Sequence, residues 1–209
     1  MARHKQAERN QIVSETRQRL LEAAAQEFAQ EGYRGANINR ISQAAGFAKG
    51  TVYNYFASKR ALMLGLIDEI AAHHLAYVVD QVRQQEEPQC RLLAFFQAGF
   101  SFVSGHLAQA RVLVNNIYGP DAEFKVRMYQ AYRPLFRFVA EEIIAPGVEQ
   151  GVFRQLDPDA TATLLMTLYL GSGSQVDDQG QPWLDPGLVA DFALNGLCCG
   201  GAGSTRPSG

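Results

Sequence analysis

Between Lys49 and Phe56 the chain carries side chains that few solvated helices display. On a helical wheel at about 100° per residue, Val52 and Phe56 fall on one side. Gly50, Thr51 and Asn54 fall on the other, with Lys49, Tyr53 and Tyr55 on the flanks. An ordinary exposed face shows Lys, Glu and Gln. This one shows a glycine, a threonine, an asparagine and two tyrosines, and no acidic residue occurs from Ile38 to Gly65. The chemistry that fits is recognition of duplex DNA. Gly50 lets the backbone approach a surface closely, and Thr51 and Asn54 can exchange hydrogen bonds with base edges. Lys49, Tyr53, Tyr55 and Lys59 can reach phosphates, which fix register without reading sequence. The helix N-terminus adds free amides and a partial positive charge. Asn37, at the start of the preceding helix, completes the candidate DNA-binding set.

Other chemistries lack their residues. The sequence has no nucleophile elbow, phosphate-binding loop, dinucleotide fingerprint or metal-ligand spacing, so it reads as neither an enzyme nor a cofactor protein. His73 and His74 have no acid or cysteine at ligand spacing. The three cysteines are Cys90, Cys198 and Cys199. An odd number in a chain this long is no disulfide scaffold, and sequence neighbours pair poorly. Cys198 and Cys199 read as small apolar residues near a helix end, with a redox pair as the alternative.

The elements that must position the recognition face are helical. From Thr16 to Gln30, Leu20, Ala24 and Phe28 recur four apart, with Ser14 as a candidate cap and Gly32 as the stop. Asn37 is a good N-cap for a helix over about Ile38–Ala45. Gly46 breaks the pattern, and a third helix runs over about Ala48–Phe56. Two short helices joined by a glycine-containing turn describe a helix-turn-helix. Ser58 can cap a long fourth helix reaching about Gln85. Further helices are expected at about 89–105, 107–118, 121–150, 158–171 and 186–198, with a kink or break at Pro134 or Pro146. Residues 171–185 read as a loop and 200–209 as a flexible tail. There is no strand alternation and no internal repeat.

The 209 residues carry a net charge of −2, but unevenly. Residues 1–60 hold ten Lys or Arg against five Glu, net +5, while residues 61–209 hold nine against sixteen acids, net −7. A basic first module facing a polyanion and an acidic second module with another task follow. The polar start, with Arg3, His4, Lys5 and Arg9, reads either as an arm reaching a minor groove or as a solvated tail. It lacks the apolar segment of a signal peptide, and no uninterrupted apolar run suits a bilayer, so the protein is expected in the cytoplasm. The second half is rich in aromatic residues. Among them Phe96, Phe100, Val103, His106, Asn115, Tyr118, Tyr129, Tyr132, Phe136 and Tyr169 are candidates to line a pocket for a mostly apolar effector with a few polar handles.

The run Gly46-Phe-Ala-Lys-Gly-Thr-Val-Tyr-Asn-Tyr-Phe-Ala-Ser-Lys59 resembles the recognition-helix signature of the TetR family of regulators. Ala23–Tyr33 and Ile38–Gly46 resemble that family's first two helices in order and spacing, so the likeness covers roughly residues 14–65. Two positions depart from it. Ala48 stands where a capping hydroxyl is common, and Asn37 stands where Thr is common.

The resemblance implies an all-α chain: a three-helix DNA-binding domain over 1–60 with a basic arm, and a larger helical effector-binding and dimerisation domain over 61–199. It implies a homodimer, paired through about 158–171 and 186–198, that binds a palindromic operator and is released by a small-molecule effector, with no membrane partner. The competing readings are an effector-free DNA-binding protein with a structural second domain, and a helical binding protein or enzyme with a vestigial helix-turn-helix.

Overall fold

The computed structural model describes residues 2–173, 175–177 and 181–198, with side chains described from residue 6 onward. The expected 200–209 tail, Cys199 and the side chains of Arg3, His4 and Lys5 lie outside the described residues. Helices are α1 (Ala2–Gly35), α2 (Ile38–Ala44), α3 (Lys49–Tyr55), α4 (Lys59–Arg83), α5 (Pro88–Gly105), α6 (Leu107–Ile117), α7 (Ala122–Val139), α8 (Ala145–Glu149), α9 (Pro158–Gly173) and α10 (Pro186–Leu197), with a π-helical turn at Ala140–Ile144. Extended pairing among the described residues is limited to two isolated bridges, Phe153 with Cys198 and Val176 with Pro182. The all-α expectation holds.

The chain forms two compact units. The first takes the residues up to His73 together with His106–Ala131, and the second takes His74–Gly105 and the described residues from Tyr132 onward. Compactness therefore groups α6 and the start of α7 with the helix-turn-helix, whereas the expected functional boundary falls at residue 60.

In the first unit, α1 supplies the spine. Leu20, Leu21, Ala24, Ala25 and Phe28 are almost wholly buried, as their spacing predicts. Ile41 of α2, Val52 of α3, Phe56 after it, Leu62, Met63, Leu66 and Ile67 of α4, Val112 of α6 and Phe124 of α7 are buried in the same unit. One expectation for α1 is corrected. Ser14 is not a cap, because the helix begins at Ala2 and runs through it. The polar start, read as an arm or a solvated tail, belongs to this helix. It is helical, with exposed Gln6–Asn10 and Gln11–Glu15 side-chain pairs one turn apart. Gly32 is the expected stop: its φ is 67°, and α1 continues only as a last short turn beyond it.

In the second unit the core is aromatic. Phe95, Phe96, Phe102 and Phe153 are fully buried, alongside Tyr132 and Tyr169. Gly99 is required there, since a Cβ on it would lie 1.9 Å from the Tyr169 ring. The break expected in the 121–150 stretch falls at the second proline. Pro146 has no N–H, and its ring would crowd the Glu142 carbonyl in a regular helix. The backbone widens into the π turn, where Ala145 N–H donates to the Ala140 carbonyl. Arg91 donates to the Glu142 carbonyl at 2.9 Å and supplies the partner that the proline cannot.

α4 is long and apolar enough by composition to cross a bilayer. Its apolar stripe is instead protein core, and its two mid-helix acids are ion-paired: Asp68 with Arg127, and Glu69 with Arg17.

Candidate nucleic-acid interface

Helix α2 starts where Asn37 stops the extended backbone. The Asn37 side chain accepts the Asn39 N–H at 2.8 Å, the predicted cap. The turn to α3 closes with Gly46 N–H on the Gln43 carbonyl and Phe47 N–H on the Ser42 carbonyl. Gly46 takes φ 77°, a left-handed conformation that favours glycine. Arg19 of α1 ties this turn down. Its guanidinium donates to the Ala45 carbonyl at 2.8 Å and stacks over Phe47. α3 then begins at Ala48, whose backbone is extended and whose side chain offers no cap, as the departure at this position implied.

The wheel is realised except at Thr51. Val52 and Phe56 are buried, while Lys49, Gly50, Tyr53 and Asn54 are exposed; Tyr55 is half-buried, and so is Thr51, which the wheel put opposite the core. Lys49 makes no ion pair among the described residues. Gly50 is informative because the fold does not need it: a Cβ there would meet nothing within 4 Å. A helix-weakening residue kept on an open face suits close approach by an external body.

Lys59, expected at a phosphate, is held by protein. Its ammonium donates to the carbonyls of Arg34 at 3.1 Å and Ala36 at 3.0 Å and lies over the Tyr33 ring. It caps the C-terminus of α1, where a cation is favoured by the carbonyl dipoles. Spacing along the chain did not reveal this role, nor that of Glu27. Glu27 is buried and accepts both the Asn37 N–H at 2.9 Å and Arg40 Nε at 3.0 Å. Arg40 also donates to Glu31, and that hydrogen bond, then the charge of Glu27, raises its already high pKa. These hydrogen bonds join residues 9 to 26 apart in sequence, so only the folded chain displays them. They fix the entry to α2 and the turn before α3.

The ten candidate effector-pocket residues divide between the units. His106, Asn115, Tyr118 and Tyr129 belong to the first, and Phe96, Phe100, Val103, Tyr132, Phe136 and Tyr169 to the second. In the second unit the centre is a residue the sequence did not single out for this purpose, His74. Its Nδ1 lies 3.0 Å from the Tyr132 hydroxyl and its Nε2 2.5 Å from that of Tyr169, with its ring stacked on Phe102. Burial raises the pKa of both tyrosines, and for Tyr169 the neighbouring Tyr132 adds to it. Phe96 and Phe100 pack against Tyr169. Tyr118 and Tyr129 are instead strongly exposed. No group of three or more potential metal ligands exists among the described residues.

Residues 20–66 match the family described as bacterial regulatory proteins, tetR family. Over 162 residues the chain is 31% identical to the HTH-type transcriptional repressor KstR2 of Mycobacterium tuberculosis, an alignment spanning 70% of this chain and 74% of that protein. Its fold is similar to that of the transcriptional regulator FadR from Bacillus subtilis, solved in complex with stearoyl-CoA. There the TM-score is 0.74 at 18% identity, over 85% of this chain and 95% of the other. It is also similar to AibR, solved with isovaleryl coenzyme A and operator DNA, with a TM-score of 0.67 at 19% identity over 88% and 98% of the two chains.

Proposed function

Because this chain belongs to the TetR family of bacterial regulatory proteins, we propose that it is a cytoplasmic, non-enzymatic transcriptional repressor that leaves a palindromic operator when a small effector binds. The observation that carries the DNA side is the α3 face. It is exposed, without acids, and retains a glycine that the fold does not require. Asn54 and Thr51 read base edges, and Lys49, Tyr53 and Tyr55 contact phosphates. Asn37 keeps its amide group for a backbone contact while its oxygen caps α2. Lys59 holds the end of α1 in place and has one N–H left for a phosphate.

Dimerisation rests on an apolar face of the second unit. Leu164 on α9, and Leu188 and Phe192 four apart on α10, are 60–72% exposed. Leu165 and Leu197, on the same two helices, are buried within the subunit. Two copies joined by this face through a two-fold axis would present two recognition helices to two half-sites. The stearoyl-CoA and isovaleryl-CoA complexes of the structural relatives support an effector with an acyl portion. The proposed lining is Tyr132 and Tyr169 against His74, with Phe96 and Phe100 against Tyr169. α4 runs unbroken from Lys59 to Arg83 and would transmit the change. A 100-fold loss of operator affinity needs an effector preference of only about 2.7 kcal/mol for the released state.

Selection of bound duplexes from a random pool, followed by affinity measurements, tests the reading. A two-fold symmetric sequence should emerge, and Asn54→Ala should reorder the preferred sequences. A protein indifferent to every duplex at low ionic strength would refute it.

A further inference from the structure

A cleft of about 400 Å³ opens in the first unit, beside the end of α1 rather than in the aromatic core. Its floor is apolar: Phe28, Met63 and Phe124 are each at most 2% exposed. Its rim carries Arg34 and Asn115. Neither side chain has a hydrogen-bond or ion-pair partner among the described residues, whereas the guanidinium groups of Arg17, Arg19, Arg40, Arg60 and Arg127 in the same unit are engaged. The two acids at the rim are already occupied. Glu31 is paired with Arg40, and Asp121 accepts the N–H groups of Glu123 and Phe124 at the start of α7.

We propose that this cleft binds a small amphipathic carboxylate, with its tail on Phe28, Met63 and Phe124 and its head on Arg34 and Asn115. A guanidinium matches a carboxylate in a two-point contact, and an adjacent amide can donate to the same group. A singly charged head fits better than a phosphate dianion, which Glu31 and Asp121 would repel. The volume lies at the lower end of the ~300–1,000 Å³ range of small-molecule sites. Gly119 shapes the wall, because a Cβ there would come within 2.2 Å of the Asn115 carbonyl.

The site adjoins the entry to the helix-turn-helix. Tyr33 stands edge-on to Phe124 at 4.7 Å and under the Lys59 ammonium, and Lys59 caps the carbonyls of Arg34 and Ala36. A tail that wedges against Phe124 displaces Tyr33 and with it the last turn before the α2 cap. Occupancy therefore alters operator affinity; this coupling rests on the DNA-binding reading, whereas ligand binding does not.

Titration of the full-length protein with hexanoate, followed by NMR of the methionine methyls and backbone amides, tests the site. Saturable shifts are expected at Met63, Arg34, Asn115 and Gly119. 1-Hexanol should bind about tenfold more weakly or worse, and Arg34→Gln should weaken hexanoate about tenfold, the scale of one charge-assisted contact. Asn115→Ala, at an exposed position, should weaken it several-fold and serves as an independent check. Unchanged affinity in both variants, or shifts confined to residues 74–105 and beyond Tyr132, overturns the site. Operator affinity measured with and without hexanoate then tests the coupling. The effect should be present in the wild type and absent in Arg34→Gln, and a bound but ineffective hexanoate overturns the coupling while leaving the site.

Discussion

Gly50 separates the needs of folding from those of function. In a helix, glycine is less favourable than alanine by roughly 0.5–1 kcal/mol, and no neighbour of Gly50 obstructs a methyl group. Gly50→Ala should therefore raise stability by up to about that amount while lowering operator affinity by about 1–3 kcal/mol, the scale of a mismatched base pair. Thermal unfolding and fluorescence anisotropy with the selected operator measure the two effects. Stabilisation without loss of affinity would remove this face from the groove. Buried polar groups pose the opposite problem. Whichever tautomer His74 adopts, one tyrosine donates to the ring and the other accepts from it, so the Tyr132–His74–Tyr169 set is satisfied while neutral. Tyr132 and Tyr169 have pKa values raised above the usual 10.0 by desolvation. A raised folded-state pKa means that the contribution is complete below the unfolded value. It is lost as pH rises above about 10 toward the folded value, because only the unfolded chain then ionises. Tyr132→Phe should cost about 1–3 kcal/mol near neutrality through the lost partner of His74. It should also make the alkaline decline shallower by about 1.4 kcal/mol per pH unit. Urea unfolding on either side of pH 10 reads both, and parallel declines in the two proteins would show that Tyr132 is not protected from ionisation.

Helices α2 and α3 were legible because each boundary has a local cause: the Asn37 cap, the left-handed Gly46, and the burial of Val52 and Phe56 four apart. Residues 2–14 were not. Their helix has no apolar stripe, and Gln6 to Glu15 are exposed on every side, so periodicity carries no signal there. Pairs one turn apart, such as Gln11 with Glu15, support it. The break in the 121–150 stretch could be anticipated from Pro146. Its form could not, because the widened turn depends on Arg91 arriving from α5 to take the Glu142 carbonyl. The same holds at the candidate interface. The exposed residues of α3 could be read from a wheel, but Arg19, Glu27 and Lys59 act across gaps in sequence and became visible only as contacts. The pocket list fared unevenly for a related reason. An aromatic-rich stretch says that a core exists, but not which of its members share one, and the ten candidates fall in two units.

At the scale of the molecule, charge and assembly decide how binding responds to salt. The chain carries −2 overall, so attraction to DNA cannot come from its total charge. Fields from the net −7 of residues 61–209 are screened beyond a Debye length of about 8–10 Å, which leaves contacts at the α3 face in control. Each phosphate neutralised lowers the log–log salt slope by about 0.9, so a dimer on two half-sites should show about twice the slope of a subunit on one. Phe192 is 72% exposed, and Phe192→Glu places a charge on the face assigned to pairing. Substitution at so open a position should change subunit stability by no more than about 0.5 kcal/mol. The variant should sediment as a monomer, keep its helical content, and bind duplex DNA with roughly half the wild-type slope, on one half-site. A monomeric wild type, or a variant whose slope and sedimentation match the wild type, would show that this face does not join the subunits and that α3 meets DNA without a symmetric partner.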